Sequence, residues 1–474
     1  MLDKRSARTL RATLVALLSA GAVILAGCNT SDEATIGYVQ VIHAVPDASN
    51  LRIDLDNLVL TSSLPYRGAS GLNIELLDSK TQTLKLAAVT KLADNSSGPV
   101  LIEGDITMRQ NYETTAIVTG WTDSVQIVEA LNPRRKRPID GLFFQFLHGA
   151  SGTGPVDVYT APPGTDLATT APLATLAFGE STDSTQVPFE NQVITITPAG
   201  SLDPLLTSDT LEFEDDLDQD GDGTEFVMSI IDSVTVGASP VRIIASTGVN
   251  ALELTDSGDS AGLRVIQASP DTPVMDVVVG DGFDAPLASN LEYTGTSEMT
   301  AVPNGAVNLN FTVPGSTTEF LFEDQVQLPG GNEFNLYLID DFENLRALTL
   351  ATDRRSVATE TRFRVVNAAP DSGRISIYVT DTADEELTNK NVLVRDLQFG
   401  FGTNYFRIAP DDYFLTITQK FVAEGENPDK ADEVTIVGPD PISVAGGDVN
   451  SLVILPPGAS GEAETFLLYD DLLP

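Results

Sequence analysis

An all-β chain of four small antiparallel sandwiches, immunoglobulin-like in general architecture and set in tandem after a signal peptide, is what this sequence predicts. Three observations predict it. One phrase with the same internal landmarks opens four segments. Short alternating runs of Val, Ile, Leu, Phe and Thr are separated by Gly, Pro, Asp and Ser clusters, the period of half-buried strands. No convincing amphipathic helix follows the N-terminal segment.

That segment comes first. Lys4, Arg5, Arg8 and Arg11 precede an apolar run from Ala12 to Gly27, and the run includes Thr13 and Ser19. It is shorter than the ~20 residues that span a bilayer, so residues 1–27 read as a secretory signal and not as a membrane helix. The run closes on Leu25-Ala26-Gly27-Cys28, a lipobox, the cleavage motif of bacterial lipoproteins. Small Ala26 and Gly27 fit the signal peptidase, and the Cys28 thiol receives the lipid. Cys28 is the sole cysteine, so a lipidated mature chain has no disulfides and no thiol chemistry. Asn29 is not the Asp that favours inner-membrane retention in Gram-negative bacteria, which makes a lipid-anchored place in the cell envelope, at the outer membrane, the expectation. Asn29 to Ile36 is a short tether, reaching at most about 25–29 Å, so the first domain should sit close to the membrane.

The four opening strands read YVQVIHAVPD at 38–47, FFQFLHGASG at 143–152, GLRVIQASPD at 262–271 and RFRVVNAAPD at 362–371. His43, His148, Gln267 and Asn367 mark the anchor position of each. A second alternating strand begins eight residues after the anchor: Leu51–Leu55, Val156–Tyr159, Met275–Val279 and Ile375–Val379. A third landmark ends in an aromatic residue, Tyr66, Phe178, Tyr293 or Phe399. Each segment finishes on a hairpin-like pair, spanning Tyr112 to Val128, Glu225 to Ile244, Glu333 to Leu350 and Ser451 to Tyr469. Recurrence about every 100–120 residues makes each unit a domain, larger than a solenoid repeat. We expect about six or seven strands per unit, with the units at 36–131, 141–252, 261–351 and 361–474. Between them lie polar stretches around Arg134-Arg135-Lys136-Arg137, Thr255–Ser260 and Thr352–Ser356. Their shortness predicts touching neighbours in a semi-rigid array. The basic stretch reads best as a solvated linker, with pairing to acidic neighbours or protease sensitivity as the alternatives.

These openings resemble a bacterial extracellular domain-of-unknown-function family. Its repeats begin with a hydrophobic strand, then His-Ala-x-Pro-Asp, then an apolar-Asp-apolar-Tyr strand. Val41-Ile42-His43-Ala44-Val45-Pro46-Asp47 matches best, followed by Val265–Asp271 with Met275-Asp276-Val277. The second copy has Ser151-Gly152 in place of Pro-Asp but keeps His148 and Val156-Asp157-Val158-Tyr159. The resemblance covers essentially the whole mature chain and implies secreted or surface-anchored β-domains in tandem. It brings no catalytic residues with it.

The net charge of −41 becomes about −44 once Lys4, Arg5, Arg8 and Arg11 leave with Asp3, and such a surface repels nucleic acid and anionic lipid. Acidic residues are dispersed and 42% of residues are apolar, the balance of a folded chain and not of an acidic tail. The histidines, His43 and His148, share a position with Gln267 and Asn367. All three residue types donate and accept hydrogen bonds, but only His titrates near neutrality. A position accepting all three reads as a structural anchor. Asp47, Asp271 and Asp371 follow proline, where a carboxylate caps a local turn two residues on. The loop Asp216, Asp218, Asp220, Gly221 and Asp222 has carboxylates at alternate positions and glycine at the sixth, the first half of a calcium loop. The twelfth position is Val227, where that pattern wants Glu. Calcium binding or plain solvated acidic surface are the two readings. The expected function is non-enzymatic: an envelope lipoprotein displaying β-domains for binding, adhesion or structure, held to the membrane through Cys28, with a protein or glycan ligand. An envelope enzyme acting on polysaccharide or peptide, or a subunit of a larger assembly, are the rivals.

Overall fold

Eight sheets form among the described residues, and they pair into four two-layer units. The computed structural model describes residues 35–56, 58–135, 139, 141–213, 223–235, 237–420, 433–456 and 464–469. Cys28, the acidic loop 216–222 and residues 136–137 of the basic stretch lie outside them.

The first unit holds β1 (Ile36–Ala44), β2 (Leu51–Leu55), β3 (Leu58–Leu64), β4 (Asn73–Leu76), β5 (Thr81–Lys91), β6 (Ser97–Arg109), β7 (Tyr112–Thr119) and β8 (Gln126–Pro133). One sheet runs β4-β1-β7-β8 and the other β3-β2-β5-β6. The second unit holds β9 (Leu142–His148), β10 (Val156–Ala161), β11 (Ala174–Leu176), β12 (Thr185–Val187), β13 (Val193–Pro198), β14 (Leu206–Thr207), β15 (Thr224–Asp232), β16 (Val241–Ser246) and β17 (Ala251–Leu254). Its sheets are β12-β9-β15-β16-β17 and β11-β10-β13-β14.

In the third unit come β18 (Ala261–Gln267), β19 (Met275–Val279), β20 (Ala288–Leu291), β21 (Thr300–Val302), β22 (Gly305–Thr312), β23 (Phe320–Leu328), β24 (Glu333–Ile339) and β25 (Arg346–Thr352). They order as β21-β18-β24-β25 and β20-β19-β22-β23. The fourth has β26 (Thr361–Asn367), β27 (Arg374–Thr380), β28 (Val392–Gln398), β29 (Phe406–Ile408), β30 (Asp411–Lys420), β31 (Glu433–Val444), β32 (Val449–Leu455) and β33 (Glu464–Tyr469), ordered β29-β26-β32-β33 and β28-β27-β30-β31. Strand order is therefore the same four times, and the predicted terminal hairpins are β7–β8, β15–β16, β24–β25 and β32–β33.

Two features differ from the expectation. Among the described residues the units carry eight or nine strands, because short edge strands such as β4, β12 and β21 have too few residues for a visible alternation. Nor is the pairing wholly antiparallel: the opening strand lies parallel to the first strand of the terminal hairpin in every unit, β1 on β7, β9 on β15, β18 on β24 and β26 on β32. No α-helix occurs among the described residues, where two short 3₁₀ turns, Leu167–Thr169 and Phe342–Asn344, are the helical segments. No helix there is long and apolar enough to cross a membrane.

Alternation along the opening strand explains the packing. Val39, Val41 and their like on β1 enter the core of unit 1 with Leu51, Ile53 and Leu86. A strand in an ordinary half-solvated sheet would turn its other face to water. Here β9, β18 and β26 are buried at every residue. Ile42 and Ala44 pack instead with Leu147, Ile231 and Ile244 of unit 2, and Ile266 and Ala268 of unit 3 pack with Val366, Ala368 and Val453 of unit 4. The four units thus form two face-to-face pairs, each welded through the sheets that contain the opening strands. Burying one such aliphatic side chain is worth about 1.5–3 kcal/mol, an upper estimate. Positions after the anchor are small, Ala44, Gly149, Ala268 and Ala368. A Cβ at Gly149 would come within 2.9 Å of Ile117 Cδ1 across the seam, so close approach excludes bulk there.

Candidate functional site

The anchor residues stand at the end of the opening strands, or one residue short of it for His43, and each points into the core of its own unit. His43 is fully buried, with its Nε2 3.0 Å from the Ser49 carbonyl and its Nδ1 accepting from the Val45 amide at 3.3 Å. His148 repeats the arrangement with the Gly154 carbonyl and the Ala150 amide. Gln267 Oε1 accepts from the Ser269 amide at 2.9 Å, and Asn367 Oδ1 from the Ala369 amide at 3.1 Å. All four side chains therefore satisfy the amide two residues on. An imidazole that donates from Nε2 to a carbonyl and accepts at Nδ1 is neutral. Burial pushes His43 down to about 3, against a partly opposing hydrogen bond to Ser49, and burial also lowers His148.

The aromatic landmark belongs to the same local unit. Tyr66 meets the His43 ring edge-on at 6.0 Å, as Phe178 meets His148 at 6.2 Å. Backbone bonds close the turn onto the anchor each time: Arg67 amide to His43 carbonyl, Gly179 to His148, Thr294 to Gln267 and Gly400 to Asn367. That is why the three sequence landmarks travel together.

The Pro-Asp carboxylates do something the sequence did not suggest. Asp47 does not cap its own turn. It reaches the β7–β8 turn, accepting from the Thr122 amide at 3.0 Å and the Thr122 hydroxyl at 2.6 Å. Asp271 likewise accepts from the Phe342 amide at 2.9 Å. In unit 2, which lacks Pro-Asp, the polarity is reversed. Asp232 at the end of β15 accepts from the Ser151 amide at 2.8 Å and from Gly152 at 3.0 Å. One long-range tie is thus kept with donor and acceptor exchanged.

The basic stretch is another correction. Arg134 lies 3.6 Å over the Tyr38 ring, and Arg135 lies 3.6 Å over Phe143 while bonding Glu225 at 3.2 Å. Glu225 also accepts from Asn132 at 2.6 Å. Arg134 thus packs back on unit 1 and Arg135 forward on unit 2, beside the Asn132–Glu225 bond that crosses the seam, so neither arginine is a solvated linker. Gln40, bonded to Thr115 at 2.8 Å and to Ser246 of unit 2 at 2.7 Å, and Arg67, paired with Glu253 at 2.7 Å, extend the same seam.

Sequence reasoning also missed a junction where both pairs meet. Arg355, from the segment between β25 and β26, is gripped by Asp353 at 2.9 and 2.8 Å. It donates to the Pro46 carbonyl at 2.9 Å and stacks 4.2 Å from the Tyr66 ring of unit 1. Burial would raise the Asp353 carboxyl, but Arg355 and Arg362 overcome it and hold it at about 2. Arg407 of unit 4 donates to the Lys91 and Leu92 carbonyls of unit 1 at 2.5 and 2.9 Å. Beside this junction lies a cavity of about 300 Å³ whose lining includes Asp47, the lone Trp121, Val234 and Arg355. Because these residues come from three units and share no local motif, no sequence pattern could have grouped them. Among the described residues no group of three or more His, Cys, Asp or Glu is placed to hold a metal.

Four two-layer β-units built on one strand order, with a shared anchor and, in the first three, a shared long-range tie, define a tandem-repeat all-β protein. The chain belongs to the family described as domain of unknown function (DUF4397), whose model matches residues 37–159 and 261–378. Each match covers one whole unit plus the first two strands of its partner, so the two matches fall one on each welded pair. No curated protein matches the chain. Among solved structures it is similar to the Bacillus anthracis TIE protein, at 10% identity and a TM-score of 0.15, over 89% of this chain and 68% of that one. A second similarity is to the product complex of the multi-modular glycogen-degrading pneumococcal virulence factor SpuA, at 8% identity and a TM-score of 0.16, over 84% of this chain and 37% of that one. Likenesses this low carry no argument about function.

Proposed function

We propose that the chain is a non-enzymatic lipoprotein of the bacterial cell envelope, anchored through Cys28 at the outer membrane, that presents its β-units as one body for binding or structural support. The observation that carries this reading is the welding of the units. Opening strands buried on both faces fix the pairs, and the Arg355 junction joins them. Such a body presents surfaces rigidly. The buried histidines support the non-enzymatic part, since both ring nitrogens of His43 and His148 are engaged by backbone groups, leaving neither imidazole for proton transfer. Calcium, if the protein takes it, belongs to Asp216, Asp218, Asp220 and Asp222. The lipobox supports the anchor, and the strongly acidic surface argues against nucleic acid as a partner.

Membrane fractionation of Cys28→Ser tests the placement. The variant should leave the membrane fraction or accumulate as unprocessed precursor. Normal maturation and membrane association would overturn the anchor. Crosslinking and pull-down from detergent-solubilised envelopes then tests the presentation: specific co-purifying glycan or protein is expected, and a clean hydrolytic activity on envelope polymers would favour the enzyme instead.

A further inference from the structure

We propose that the outer face of the β20-β19-β22-β23 sheet in unit 3 is a binding groove for neutral oligosaccharide. This deepens the reading of the chain as a displayed binding protein by naming a ligand class and a place. Val307, Leu309 and Phe311 of β22 enter the core, so Asn308 and Asn310 between them face outward. They are paired in register with Gln325 and Glu323 of β23. A register shift after Phe311 sets Phe320 opposite Thr312, which leaves that ring 43% exposed, with Phe283 edge-on to it at 6.2 Å. Together these residues line a groove of about 650 Å³, within the range of about 300–1,000 Å³ usual for ligand sites.

The lining chemistry selects the ligand. Gln325 Nε2 donates to Asn308 Oδ1 at 2.8 Å, and Asn310 Nδ2 donates to the Gly280 carbonyl at 2.7 Å. The amides are thereby held in place before a ligand arrives, which lowers the ordering cost of binding. Asn308 Nδ2 and Asn310 Oδ1 remain to donate and accept, and the Glu323 and Asp281 carboxylates accept. A ligand that matches must offer donors and acceptors at close spacing beside an apolar C–H face, which would lie on the negative face of the Phe320 ring. A sugar ring has that pattern. Anionic polymers do not suit the groove, because its lining carries Asp281, Glu323 and Asp324 and no basic side chain. A lysine-rich peptide would use the carboxylates but leave the amide row unmatched.

The other units lack the feature. In the shared register the positions matched to Asn308 and Asn310 are Lys85 and Ala87 on β5, Val193 and Thr195 on β13, and Phe414 and Thr416 on β30. The amide row is therefore a departure of unit 3 from the shared template, and the fold does not require it.

Calorimetric titration tests the proposal on the full chain in detergent, using maltohexaose, cellohexaose, mannohexaose and N-acetylchitohexaose at up to millimolar concentration, with a trilysine peptide in parallel. At least one hexaose should bind. Phe320→Ala, Asn308→Ala and Glu323→Gln should each weaken that binding about tenfold or more, and Phe320→Tyr should restore it, while the melting temperature stays put because all three side chains are exposed. No heat with any hexaose, affinities unchanged in the three variants, or binding of trilysine in place of sugar would each overturn it. These outcomes are independent of Cys28, so loss of the anchor reading in fractionation and loss of the groove in titration are told apart.

Discussion

At the anchor position an imidazole performs the same bond as two amides. His43 takes the Val45 amide through Nδ1, as Gln267 takes Ser269 and Asn367 takes Ala369. His43→Gln should therefore cost about 1 kcal/mol or less at neutral pH, whereas His43→Leu leaves a buried amide unsatisfied and should cost about 1–3 kcal/mol. Titration separates the two imidazoles from the amides. The folded His43 takes up its proton only near pH 3, while the unfolded chain does so near 6.5. Stability contributed by the neutral ring is thus complete above pH 6.5 and is lost as pH falls from there towards 3. For His43 the slope on that path is about 1.4 kcal/mol per pH unit. His148 is lowered in the same sense. Between pH 6.5 and 5 most carboxylates are still ionised, so urea unfolding across that window should show a slope that His43→Gln with His148→Gln flattens. An unchanged slope in the double variant would mean the rings protonate without unfolding.

Strands are where the sequence spoke most clearly, and its silence there has a physical cause. The alternation of Leu51–Leu55 or Met275–Val279 shows in one strand alone, so those elements were legible. Parallel pairing of β1 with β7 was not, since register between strands about 70 residues apart leaves no local periodicity. The seam between units did leave a trace. Ile42, Leu147, Ile266 and Val366 stand one residue before each anchor and are all fully buried. An apolar residue on the face that should meet water is the mark of a strand covered on both sides. The acidic segment 216–222, outside the described residues, stays a matter of sequence. It precedes β15, whose Glu225 is tied to Asn132 and Arg135 of unit 1, so the welded chain and not an isolated unit is the proper material for a test. If Asp216, Asp218, Asp220 and Asp222 hold calcium, a hundredfold excess over Kd should stabilise the fold by about 2.7 kcal/mol. Asp218→Ala with Asp220→Ala should erase the thermal shift, and magnesium should produce less of it, since it gives up water reluctantly. No shift at millimolar calcium would leave the segment as solvated surface.

In the molecule as a whole, two kinds of joint hold the units together. Within each pair the joint has an apolar centre, built from Ile42, Leu147 and Ile244 or from Ile266, Val366 and Val453. Between the pairs it is polar and small, resting on Arg355, Arg407 and the Arg242 contact with the Gly331 carbonyl. The seams within each pair bury whole aliphatic side chains, whereas the junction between the pairs rests on a few hydrogen bonds, so the pairs should part before they come apart internally. Arg355→Met isolates the bridge. It removes the bond to Pro46 and the charge over Tyr66, yet Asp353 keeps Arg362, so no carboxylate is left buried without a partner. Lysine is a poor substitute, because it lacks the planar fork that grips Asp353 and stacks on the ring. Small-angle scattering of Arg355→Met should show a larger radius of gyration at neutral pH, while the melting of the individual pairs stays near that of the parent. Acid should act on the same joint only late. Asp353 is held at about 2 in the folded chain, so its share of the stability is present above the ordinary carboxylate value of 3.8 and is lost as pH falls through 2. If Arg355→Met scatters as the parent does, the pairs are held by something other than this arginine.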